Sequence, residues 1–171
     1  PLRNSLSLPI EPGPLARIGV RWVLIDRARP PADFIPGWVG PLAQDENFEV
    51  WENPAWRGDA VAWPAAIVAD DPAEFLRENP GAAADVALVA DAENAFECEA
   101  ASCGPVGLDI DRPRPEQIDL TVDFEASHLI SIAQQSLPGW SVDVDNERAE
   151  VVVVDGLFLG VRVPAGPHAI S

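Results

Sequence analysis

The chain has 171 residues and a formal charge of −17, set by 28 acidic residues against 11 basic ones, all of them Arg. A surface this negative repels nucleic acid and anionic lipid headgroups, and no basic patch with interleaved aromatics offsets it, which argues against a nucleic-acid partner. Hydrophobic residues make up 47% of the chain despite its 18 prolines, enough for a packed core, while no apolar run reaches the roughly 18 residues of a membrane span and no signal-peptide pattern is present.

Pro9, Pro12, Gly13 and Pro14 predict a linker over residues 1–16. Val20-Arg-Trp-Val-Leu-Ile25 reads as a buried strand, with Trp22 in the core, and the Pro/Gly-rich residues 28–41 read as loop. Phe48-Glu-Val-Trp-Glu52 alternates apolar and acidic residues with period two, so a second strand is expected there, with Trp51 in the core. Asn53-Pro54 stops it, and Ala60-Val-Ala-Trp63 predicts a third. Asp71-Pro-Ala-Glu74 offers an N-cap, a proline at the first helical position and Glu at the third, so a two-turn helix runs to Asn79-Pro80-Gly81. Val86–Val89 reads as another short buried strand.

From Val106 onward nearly every signal is β. Ile118–Phe124 and His128–Ile132 alternate, Ser141–Val154 reads as a hairpin turning at Asp145-Asn146, and Leu157–Val163 follows the Asp155-Gly156 turn. Pro164-Ala-Gly-Pro167 then turns into His168-Ala-Ile170. The expected fold is α+β and mostly β: a small mixed subdomain over 17–105 packed beside an antiparallel β-sandwich over 106–171. The chain starts at Pro1, contains no Met and stops within a predicted strand, so a piece of a longer product is expected.

Cys98 and Cys103 enclose a short loop whose thiols form a disulfide, stay free or bind a metal; the last needs further ligands, and His128 and His168 are the chain's two histidines. Asp143, Asp145, Asn146 and Glu147 faintly suggest a calcium loop, but the Gly and Glu positions of that pattern are missing. No metal or cofactor is therefore expected. His128 and His168 have no spacing that favours catalysis, and a ring donor at His168 would tie its turn to a neighbouring carbonyl. No P-loop, nucleophile elbow or zinc-protease motif occurs, and no catalytic residue is assigned.

Ser136-Leu-Pro-Gly-Trp-Ser-Val-Asp-Val-Asp-Asn146, then Gly156-Leu-Phe-Leu-Gly-Val-Arg-Val-Pro-Ala-Gly-Pro-His168, resembles the C-terminal extracytoplasmic region of YfhO-type bacterial membrane proteins, which look like the GT-C class of polyprenyl-phosphate-sugar glycosyltransferases. Arg17–Leu24 and Phe48–Pro54 are similar to strands of the same region, so the likeness covers roughly residues 15–65 and 118–171. Asp145-Asn146 departs from it, standing where those proteins carry Asp-Gly. The resemblance implies a cell-membrane protein with this domain on the extracytoplasmic side, its partners the membrane-embedded part of the same polypeptide and a cell-envelope glycan. It also implies that the catalytic carboxylate lies in another loop, so this region is not itself an enzyme although the parent protein is open to that role. Pro138, Gly139, Trp140, Pro164, Gly166 and His168 are then structural motif residues.

A second reading is a stand-alone carbohydrate-binding or interaction module of a secreted protein, and a third is an acidic halophilic enzyme. Glycan contacts are sought at Trp38 and Trp56, which Pro and Gly flank, and at Trp140, whose indole stacks on a sugar or anchors the sandwich core. The anchoring role is the expectation for Trp140.

Overall fold

A computed structural model of the chain describes residues 12–30, 37–79, 85–97 and 104–171. The chain is α+β and mostly β. It divides into two units, Pro1–Trp56 and Arg57–Ser171, and the strands at 60–63, 66–68 and 87–89 pair in one sheet with strands that follow residue 106.

In the first unit, helix α1 (Pro12–Arg17) precedes β1 (Trp22–Asp26), β2 (Val39–Gln44) and β3 (Phe48–Glu52), which pair antiparallel in the order β1-β3-β2. The expected linker is thus helical from Pro12; prolines suit a first turn, where the missing N–H has no intrahelical acceptor to lose. The helix closes through Val20 N–H donating to Leu15 O at 2.8 Å. The expected loop over 28–41 likewise gives way to β2 at Val39. Pro41 is tolerated there because β2 is an edge strand with a neighbour on one side only. Asp45 Oδ1 accepts from Asn47 N and Phe48 N, both at 2.7 Å, and turns β2 into β3.

Asn53, 2% exposed, is the polar hub of this unit. Its Nδ2 donates to Pro12 O at 2.8 Å and Val20 O at 2.9 Å, while its Oδ1 accepts from Ala55 N at 3.0 Å. A residue that reads as a strand stop in sequence therefore ties the start of α1 to the start of β1.

The second unit contains β4 (Ala60–Trp63), β5 (Ala66–Val68), α2 (Pro72–Glu78), β6 (Ala87–Val89), β7 (Val106–Leu108), β8 (Asp111–Arg114), β9 (Gln117–Phe124) and β10 (His128–Gln135). It continues through β11 (Val142–Val144), β12 (Glu147–Ala149), β13 (Val152–Val154), β14 (Phe158–Val163) and β15 (Gly166–Ile170). One sheet runs β5-β6-β13-β14-β10-β4-β7 and the other β12-β11-β15-β9-β8. Asp71 caps α2 as expected, its Oδ1 accepting from Glu74 N at 2.9 Å, and Asn79 closes the helix. β5 and β6, joined through α2, are parallel, in the part of the chain expected to be mixed.

Between the sheets lie Ala60, Ala62, Ile130, Ile132, Leu159, Val161 and Val163 from one and Ile118, Leu120, Val122 and Ile170 from the other, all buried. The seven-stranded sheet buries its opposite face as well, around Trp63, Leu129, Val152, Val154 and Phe158. Burial on both faces is why Phe158–Val163 lacks period-two alternation; in β13 burial does alternate, Val152 and Val154 buried and Val153 exposed, although all three are valine. At Gly160 a Cβ would sit 2.4 Å from Val154 Cγ2, so only glycine fits this close approach.

The hairpin read over Ser141–Val154 is two pieces. β12 returns beside β11, and the chain then crosses at Glu150-Val151 to place β13 in the other sheet against β14. Both hairpin turns adopt left-handed geometry, Asp145 and Asn146 at φ 53 and 67 and Asp155 and Gly156 at φ 55 and 71.

Candidate functional site

Strand β11 is bracketed by the two stretches that the sequence singles out. After it, Asp145 sits at the hairpin tip with Oδ2 2.6 Å from His168 Nδ1 and Oδ1 accepting from Ala169 N at 2.9 Å. Asp145 N also donates to Ala169 O at 2.8 Å. Gly166, at φ 112, lets the chain enter β15 with the His168 ring folded back, and Ala165 O lies 3.4 Å from Nε2. The expected carbonyl tie is therefore present, but the stronger partner is a carboxylate from the other hairpin, which sequence spacing does not foretell.

The His168 side chain is 16% exposed. Its hydrogen bond to Asp145 raises its pKa above the ordinary imidazole value, with the Ala165 carbonyl and the charges of Asp145 and Asp123 adding to the effect against the cost of burial. The backbone N–H of Ala169 and then the His168 ring hold Asp145 below the usual carboxylate range. A histidine oriented by a carboxylate is the arrangement of a catalytic base and its positioning group. Here both ring nitrogens face protein acceptors, so the pair serves as a clasp between β15 and the β11–β12 turn.

Before β11, Pro138-Gly139 turns the chain, with Gly139 at φ 107, and the half-buried Trp140 packs against the core between the sheets. Beside it the sandwich opens into a cavity of about 260 Å³. Aliphatic side chains from both sheets form its floor, and Glu116, Ser141 and Asp143 stand among its polar lining. Asp143 pairs with Arg148 at 3.3 Å, and its backbone exchanges hydrogen bonds with Ser171 at 2.9 and 3.0 Å. Asp143 and Asp145, two of the carboxylates with the faint calcium-loop look, thus have protein partners. A wider groove of about 600 Å³ runs past Asp109, Asp111 and Asp119 near β8 and β9. Among the described residues no group of three or more His, Cys, Asp or Glu is arranged to hold a metal.

Trp22, Trp38 and Trp56 belong to the first unit. Trp38, sought as a glycan contact, is 7% exposed, whereas Trp22, expected in the core, is 53% exposed. Strand register explains the exposure of Trp22. It lies on the sheet face of Leu24, Val50 and Phe48, while Val23, Ile25 and Trp51 take the other. Trp56 is half-buried, and the Arg21 guanidinium lies 4.3 Å from both its ring and that of Trp22. Arg21 Nε also donates to Glu52 at 3.1 Å, a constellation that no spacing rule singles out. His128 stacks on Phe124 at 4.3 Å and meets Ala126 O at 2.8 Å, a structural placement. Cys98 and Cys103 lie outside the described residues.

No family model, curated protein or solved structure matches the chain. Among the described residues no helix is long and apolar enough to cross a membrane.

Proposed function

We propose that this chain is a non-catalytic, extracytoplasmic accessory domain of a GT-C-like polytopic membrane protein of cell-envelope glycan assembly. Its role is to cap the membrane-embedded part of the same polypeptide or to position a glycan acceptor there. The observation that supports this reading is the shared use of the two resembling stretches. Leu137–Trp140 leads into β11, and Pro164–His168 fastens its far end through Asp145. Residues that carry a likeness while serving to frame one strand suit a domain that presents a surface. Its acidic charge suits a solvent-facing position away from anionic headgroups.

The test uses the full-length gene product in its own host. The expected result is that it pellets with membranes and that external protease clips this domain from intact spheroplasts. A product that stays soluble and protected from external protease would end this reading.

A further inference from the structure

We infer that the open end of the sandwich beside Trp140 is a binding site for a short alkyl chain that carries an uncharged, hydrogen-bonding head group. The site exists because the chain changes sheets at Glu150-Val151. β12 stays with β11, β13 leaves to join β14, and Val151 at the break lines the gap. The gap of about 260 Å³ keeps Ile118 and Ile170 on one wall and Ile132, Leu159 and Val161 on the other, with the Trp140 indole at its edge.

Size and lining select the tail. Roughly 150 Å³ is room enough for a benzene ring, so this space admits a chain of several carbons along its branched aliphatic floor, while polar residues line the rest. The rim selects the head. Glu116 and Asp143 repel an anion, in keeping with the chain's overall charge of −17. Arg148 at 3.3 Å offsets Asp143, which lessens the pull on a cation, while the Ser141 hydroxyl and the two carboxylates suit a hydroxyl-bearing head. The inference concerns this unit's own cavity and stands whether or not the parent protein is a membrane enzyme.

Methyl-resolved NMR of the whole chain tests it, titrating octyl glucoside below its micellar concentration, with methyl glucoside, octanoate and octylammonium in parallel. Octyl glucoside is expected to shift the methyl signals of Ile118, Ile132, Leu159 and Ile170 saturably, and to leave Leu129 and Val154, on the opposite face of the seven-stranded sheet, unmoved. Methyl glucoside and octanoate are expected to bind at least tenfold more weakly. The substitution Val151→Phe, which fills the gap, should abolish the shifts; if that variant does not fold, the wild-type methyl pattern decides alone. Shifts spread over both clusters, or equal binding of methyl glucoside, overturn the alkyl site. Tighter binding of octylammonium or octanoate than of octyl glucoside overturns the assignment of the head.

Discussion

The two units solve the burial problem differently. The seven-stranded sheet of the second unit is covered on both faces, and its buried positions are almost all aliphatic. The three-stranded sheet of the first unit shows an apolar face to solvent, with Trp22 at 53%, Leu24 at 64%, Val39 at 49% and Phe48 at 42% exposure. Among the described residues of this unit, those buried are Ile25, Trp38 and the hydrogen-bonding hub Asn53. Charge divides as unevenly: five Arg meet seven acidic residues in the first unit, six meet 21 in the second. A two-layer apolar core thus tolerates a strongly self-repelling surface, whereas a small sheet with one apolar face open rests on specific polar ties.

The sharpest way to break this contrast is to truncate matched aliphatic side chains. Ile130→Ala, at 0% exposure between the sheets, is expected to cost about 2–5 kcal/mol in urea denaturation. Gly160→Ala should cost about 1–3 kcal/mol by the same measurement, because the new Cβ meets Val154 and the carbonyls of Ile130 and Val152. Asn53→Ala should likewise cost about 1–3 kcal/mol, since it strands Pro12 O, Val20 O and Ala55 N, and Asn53→Leu should not rescue it.

A smaller effect comes from the clasp. The pKa of His168 is raised by folding, so its contribution is fully present below about pH 6.5 and fades as pH climbs through the raised value. The pKa of Asp145 is lowered, so its share is present above about pH 4 and fades as pH falls through the lowered value. The gap in melting temperature between the wild type and His168→Gln should therefore be widest between those limits and shrink by pH 8.5. Smallest of all, Leu24→Ala on the open face should change stability by less than about 0.5 kcal/mol. A cost equal to that of Ile130→Ala would mean that the first unit hides this face in solution.

Turn and cap chemistry made much of the fold legible in the sequence. Asp71 with Glu74 marks α2, and the two left-handed pairs at Asp145-Asn146 and Asp155-Gly156 fix the hairpins, because few residues adopt those backbone angles. Alternation located β3 and β9, and in β9 it matches an alternation in burial. It failed at Val20–Ile25, a run apolar at nearly every position, where the sequence gives no sign of which face is open; hence Trp22 was expected inside. The break at Glu150-Val151 was hidden for a similar reason, since an unbroken valine run suits one long strand as well as two short ones. At the candidate site, the sequence marks Trp140 and His168 as turn residues. The pairing of His168 with Asp145, 23 positions away, depends on β11 and β15 lying side by side.

The central claim, that the singled-out motif residues hold the ends of β11, is tested most directly by residue-resolved amide hydrogen exchange at pH 6. In the wild type, the amides of Asp145 and Ala169 should be protected by their bonds across the turn. In His168→Gln they should exchange markedly faster, while Leu120, Ile130 and Val161 keep their protection. Unchanged exchange at Asp145 and Ala169 would contradict the claim and leave His168 without a structural role.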